Sequence, residues 1–214
     1  MPRWLFATLA LLLVALWWVA HDSSAPMAAT TAAGGGASQA CSMLMVPSSF
    51  EGAVQTPQAT APFRVANATI TPLAAFSVSG RVLGREDYRF DRGSAWSPTD
   101  LALGWGPMAA PGLAERLGVS QGGRWYRYGW GREGPPMAPA EIARDSANMH
   151  MVPADAATAD ALARVSAGDS VRIDGWLLKI EGDDGFRWQS SLTRDDVGAG
   201  ACELVLVCAL ERKP

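Results

Sequence analysis

The pattern of apolar and polar positions divides the chain into three parts. Trp4 to Ala20 is an unbroken apolar run of seventeen residues, at the short end of what crosses a bilayer as a helix. Residues 21–72 follow without a sustained period, rich in Ala, Thr, Ser, Gly and Pro around Gly34-Gly-Gly36, with Met43-Leu-Met-Val46 as the one apolar island. Such a segment has too little bulky apolar surface to offset ordering entropy, and it reads as a flexible tether. From Leu73 to Pro214, short strand periods alternate with turns, which reads as one β-rich domain.

Within that domain, Phe76-Ser-Val-Ser-Gly-Arg-Val-Leu83 alternates with the period of a half-buried strand. Ala95 to Pro107 reads as a turn-rich stretch in which Ser97-Pro98 opens a helical turn. Pro111 to Leu117 predicts a short helix closed by Gly118, and Arg124 to Trp130 is aromatic-rich and β-prone. Ser146 to Met151 predicts a strand leading into Pro153. The clearest helix runs from Asp155 to Val165, with Ala159, Leu162, Ala163 and Val165 towards one face. Val171, Ile173 and Gly175 alternate through a strand that ends near Ile180, and Gly182-Asp-Asp-Gly185 is a hairpin turn. Phe186 to Ser191 returns, a glycine-rich loop follows, and Cys202 to Leu210 is the last strand. Short strands, one inserted helix and a glycine bending a strand predict a mainly β fold, a small OB-like, partly open barrel.

Charge sharpens this division. Residues 1–73 carry only Arg3, Asp22, Glu51 and Arg64 as charged groups. Arg3 and the N-terminal amine precede the apolar run, and Asp22 follows it. The positive-inside rule therefore keeps the N-terminus in the cytoplasm and sends the remainder across the membrane. The run is longer than the core of a secretory signal and ends in bulky Trp17-Trp18 with poor small-x-small sites, so an uncleaved anchor is favoured over a cleaved leader. The expected location is the bacterial inner membrane, single-pass, with residues 73–214 in the periplasm. A net charge of −3 offers no footprint for a nucleic-acid backbone, and no nucleic-acid partner is expected.

Three cysteines occur, an odd count for an exported chain. Cys202 and Cys208 stand six residues apart on a predicted strand, about 20 Å when extended. A disulfide needs Cα atoms within about 7 Å, so these two do not pair without a reversal. Cys41 with either remains open, and the simplest reading keeps Cys202 and Cys208 as buried strand thiols.

Candidate chemistry is sparse. His150 and Cys202 form a candidate nucleophile pair, with Glu203 or Asp196 to orient the imidazole. No cysteine-hydrolase signature surrounds Cys202, and a structural histidine bonded to backbone or Asn148 is the simpler reading. The loop 190–200 places Arg194, Asp195 and Asp196 together, as a polar-ligand site or as a loop stitched to itself. The spacing matches no calcium motif, so neither a metal nor a cofactor is expected. Trp96, Trp105, Trp125, Trp130, Trp176 and Trp188, with Asp100, Arg124 and Asn148, could stack on a sugar or a peptide, although tryptophan in a small β domain is first of all packing.

Three islands carry a resemblance. They are Ser97-Pro-Thr-Asp-Leu-Ala-Leu-Gly-Trp-Gly-Pro-Met108, Ser146-Ala-Asn-Met-His-Met-Val-Pro-Ala154, and Trp188-Gln-Ser-Ser-Leu-Thr-Arg-Asp-Asp-Val-Gly-Ala-Gly-Ala-Cys-Glu203. On these the chain resembles an uncharacterised family of exported, membrane-anchored bacterial proteins. The resemblance implies one domain and an envelope location, and brings no activity to carry over. The expected function is a membrane-tethered periplasmic binding or assembly module for an envelope protein or glycan. The alternatives are a small Cys/His hydrolase or transferase, and a purely structural domain.

Overall fold

The structure is a computed structural model that describes residues 35–193 and 202–213. The anchor assigned to residues 4–20 and the sites Arg194, Asp195 and Asp196 lie outside the described residues. Among the described residues no helix is long and apolar enough to cross a membrane.

The fold is mainly β. Helix α1 (Gly36–Ser42) leads into β1 (Gly52–Thr56), β2 (Phe63–Val65) and the twenty-residue β3 (Ala68–Asp87). β4 (Thr99–Gly104) is followed by a 3-10 turn (Gly106–Ala109), α2 (Leu113–Arg116), the hairpin β5 (Ser120–Gly122) and β6 (Trp125–Arg127), and α3 (Pro139–Arg144). β7 (Ser146–Pro153), α4 (Ala156–Ala163), β8 (Ser170–Gly182), β9 (Arg187–Gln189) and β10 (Glu203–Lys213) complete it.

Five strands form a ring. β3 pairs with β4, β4 with β7 and β8 with β10, all antiparallel; β7 runs parallel to β10, and β3 pairs antiparallel with β8 to join the ends. A long strand can take part in such a ring only if it bends. β3 is irregular between Pro72 and Ala74 and again between Val82 and Gly84, where bulges add curvature. At Gly175 on β8, a Cβ would fall 1.9 Å from the Leu206 carbonyl oxygen, so only glycine lets β8 and β10 approach this closely.

Alternation then sorts the side chains. Phe76, Val78, Leu101, Leu103, Met149, Met151, Ile173, Leu177, Val205 and Val207 fill the interior. α4 closes one end with Leu162 and Val165. Asp155 caps this helix: its carboxylate accepts from Thr158 N at 2.8 Å, and the Thr158 hydroxyl accepts from Asp155 N at 3.0 Å.

The outer surface carries two covers. One is the segment 36–65 with the start of β3, packed through Ala37, Ala40, Val65 and Ile70 against Trp176, Leu204 and Leu206. Trp176 Nε1 donates to the Ala40 carbonyl at 3.0 Å, and Cys41 forms a disulfide with Cys208. The tether expected over 21–72 is thus corrected for its described part, which is built into the fold. Small residues permit this, because Ala37 and Ala40 let the α1 backbone lie close against Trp176. Cys208 is likewise not a buried thiol. It is the extra residue of a bulge between Val207 and Ala209, an irregularity that interrupts the pairing of β10 with β8.

The second cover is the insertion 105–145, whose Met108, Leu113, Leu117 and Ile142 pack on Leu83 and Ala102. The turn expected at Ser97-Pro98 is corrected as well: Thr99–Gly104 is a strand buried along its whole length.

Candidate functional site

Between the two apolar covers lies a polar seam. Leu101 and Leu103 point into the barrel, so alternation turns Asp100 and Ala102 outward. On β7, Ala147, Met149 and Met151 face inward, and Asn148 and His150 face outward. The register sets Asp100 beside His150 and Ala102 beside Asn148, gathering three polar side chains on one patch. All three are buried, Asp100 completely.

A buried carboxylate requires partners, and Asp100 has them on every side. Its Oδ1 accepts from Arg124 Nη1 at 2.8 Å, and its Oδ2 accepts from Asn148 Nδ2 at 3.1 Å. Gln121 Nε2 donates to Asn148 Oδ1 at 2.7 Å and holds that amide in place. His150 Nδ1 lies 2.9 Å from Asp100 Oδ1, within ion-pair distance but without an aligned hydrogen bond. It is a close polar contact, since direction decides whether a short distance is a bond. The imidazole also tilts against the Trp188 ring, with centroids 4.8 Å apart.

Arg124 joins this patch to the loops above it. Its Nε and Nη2 donate as a fork to the two Asp91 oxygens at 3.1 and 2.9 Å. Its guanidinium carbon stands 3.8 Å from the Tyr88 ring centroid and 5.3 Å from that of Trp188. Its backbone N–H donates to the Tyr88 hydroxyl at 3.0 Å. The position is set by a tight turn: Gly122 pairs with Trp125, leaving Gly123 and Arg124 as a two-residue loop with φ of +59° and +69°. Two positive φ values in such a loop match the twist of the hairpin. Glycine suits the second position, and an arginine there costs roughly 1–2 kcal/mol of backbone strain.

The electrostatics follow from these contacts. Burial pushes the Asp91 carboxyl upward, but the Arg124 fork, its charge and the backbone of Gly93 and Ser94 outweigh this and hold it below the ordinary range. Burial holds the Tyr88 phenol above its ordinary value, opposed by the Arg124 N–H and reinforced by the Asp100 charge. On the other side of the hairpin, burial pushes Tyr126 up to about 12, with its hydroxyl 3.3 Å from Ser146 Oγ.

The structure brings Asp100, Asn148, His150 and Trp188 together and adds Tyr88, Asp91, Gln121 and Arg124. The sequence names Arg124 only as a neighbour of Asp100, and it does not single out Tyr88, Asp91 or Gln121, which come from loops far away along the chain. The local signal for Asp100 is its position, a lone acid within an otherwise apolar strand. Trp96 is half-buried against the apolar cluster that includes Trp188. Trp105 is not on the seam; it packs in the barrel core, and the Cβ that Gly52 lacks would clash with its ring. Trp125 and Trp130 are exposed at 42% and 43%, with Phe90 at 98% and Leu192 at 45% on neighbouring loops.

The remaining candidates are separated. Cys202 remains a thiol, half-buried just before β10. Leu204 is the residue paired with His150, so Cys202 is offset by two residues, about 7 Å along the strand. Glu203 shares the parity of the inward Val205 and Val207, opposite to the outward His150. Among the described residues no group of three or more His, Cys, Asp or Glu is placed to hold a metal ion. No protein-family model matches the chain, and no curated protein or solved structure matches it either.

Proposed function

We propose that this chain is a single-pass inner-membrane protein whose periplasmic domain, an OB-like, partly open barrel, binds an envelope protein or glycan on the outer face of β4 and β7. The barrel reading is supported by the ring order β3-β4-β7-β10-β8, by the parallel pair β7 and β10, and by the single helix α4 between β7 and β8. The Trp-bounded apolar run at 4–20 supports the anchor. The Cys41–Cys208 disulfide supports export, because such bonds persist in oxidising compartments.

One observation carries the binding reading. Asp100, Asn148, His150 and Arg124 gather on the outer face of two barrel strands, where packing alone calls for apolar side chains. The loops framing that face expose Phe90, Trp125 and Leu192, the aromatic and apolar groups that anchor partners.

The test uses the full chain in its membrane. A photoreactive benzoylphenylalanine at position 90 or 125 is expected to cross-link one discrete envelope species, and the same probe at exposed position 55 is expected to give none. Co-sedimentation with isolated peptidoglycan, lost in Trp125→Ala, would identify a glycan partner. Absence of both at positions 90 and 125 removes the proposal. A Cys202–His150 catalyst receives less support, since His150 is engaged with Asp100 and Trp188 and its neighbour on β10 is Leu204.

A further inference from the structure

The surroundings of Arg124 have the composition of a ligand site. Two carboxylates, Asp91 and Asp100, and two aromatic rings, Tyr88 and Trp188, enclose its guanidinium. Planar cations are recognised by such a combination of fork-geometry hydrogen bonds and ring faces. None of the four walls belongs to the β5–β6 hairpin. They come from the loop after β3, from β4 and from β9, so the barrel and its loops build the cage and the hairpin supplies only the occupant.

Two further features point outward. The cage holds two negative charges against the one positive charge of Arg124, and the buried His150 Nδ1 faces Asp100 without an aligned hydrogen bond. An incoming guanidinium meets the same two carboxylates that hold Arg124. Moreover, Arg124 is not the hairpin's sole fastening, because Gln121 bonds to Asn148 and Tyr126 contacts Ser146. Those two contacts do not involve the arginine side chain.

We propose that this cage is an arginine-binding site: it takes the guanidinium of an arginine side chain on a partner protein, and Arg124 fills it in the unbound chain. The inference rests on the reading of the β4–β7 face as the partner-binding face, and it narrows the partner to a protein segment that presents arginine. Exchange replaces one set of fork and ring contacts with an identical set. Phe90 and Trp125, exposed beside the cage, offer apolar contact to the residues flanking the incoming arginine.

The experiment titrates N-acetyl-arginine amide, and N-acetyl-citrulline amide as its uncharged analogue, into the full chain and its Arg124→Gly variant. Glycine suits the positive φ of this turn, so the variant removes the occupant and relaxes the backbone. Binding is read from the Trp188 indole N–H resonance and from melting temperature. The variant is expected to bind the arginine probe saturably and to regain melting temperature. Citrulline should bind at least tenfold more weakly, and the unmodified chain should bind arginine at least tenfold more weakly than the variant because Arg124 must first be displaced. A folded variant with an unmoved Trp188 signal, or with equal response to citrulline, overturns the proposal. If the variant does not fold, the Arg124 Nε–H resonance of the unmodified chain decides. A shift towards the position of unbound arginine under the probe supports the cage, and a fixed signal overturns it. Cage filling without cross-links at positions 90 and 125 overturns the partner assignment, whereas cross-links with an unfilled cage overturn the arginine assignment.

Discussion

The N-terminal cover and the polar seam over β4 and β7 are held by opposite chemistry. The N-terminal cover lies on β8 and β10 with apolar side chains, one indole hydrogen bond and one covalent bond. The seam over β4 and β7 is held by Arg124 bridging Asp91 and Asp100, with His150 close beside Asp100. An apolar, covalently pinned contact opens only with the fold, whereas a latch of exchangeable charges can open by itself. Local opening free energies vary in this way across a domain.

The largest expected effect breaks the charged side. Asp100→Ala removes the fully buried partner of Arg124 and leaves it only the Asp91 fork, and the loss of one partner of a buried pair costs about 3–5 kcal/mol. Chemical denaturation should show that loss. Hydrogen exchange should quicken at 120–127 and 88–96 while 36–42 keeps its protection. Equal loosening of both regions would show that they are one cooperative unit.

On the apolar side, Cys41→Ser or a mild reductant removes a cross-link between distant residues. We expect a loss of about 2–4 kcal/mol and faster exchange confined to 36–65. High salt separates the two regions more gently. At about 1 M the screening length falls to roughly 3 Å, so the exposed Asp91 arm should slacken, read as exchange at 120–127, and the disulfide-pinned cover should not respond.

Two pH effects complete the comparison. Tyr126 is raised from 10.0 to about 12, so its neutral form stabilises the fold fully below pH 10 and that contribution is lost as pH climbs towards 12. Tyrosinate absorbance with parallel loss of hairpin protection would check it. Asp91 is lowered below 3.8, so its contribution is complete above that value and disappears as pH falls through the lower folded value. The effect should be small, because the group is partly exposed, and visible as hairpin loosening in strong acid alone.

What the sequence discloses depends on how local the cause is. Strand β7, helix α4 and strands β8 and β10 are legible because their periods and the Asp155 cap are written in adjacent residues. Helix α1 and strands β1 and β2 are not, since Ala37 and Ala40 look like tether composition until Trp176 is placed against them. Asn148 could be picked as a polar residue in a predicted strand, whereas Asp100 falls in a stretch that reads as turns until β4 is seen. Asp91, Tyr88 and Gln121 could not, because their roles depend on where two loops fall over a third element. Trp105 is the converse case: an aromatic in a glycine-rich stretch suggests a surface, yet the chain path takes it into the core.

The Cys41–Cys208 bond has a topological consequence. It closes residues 41–208 into one covalent loop, which holds the ring strands β3, β4, β7 and β8, the start of β10 and the insertion 105–145. A protease that nicks the exposed loop at Phe90 or Trp130 would therefore release nothing. The two pieces would migrate as one species until the bond is reduced and only then part, so a cut in an exposed loop leaves the described fold covalently joined.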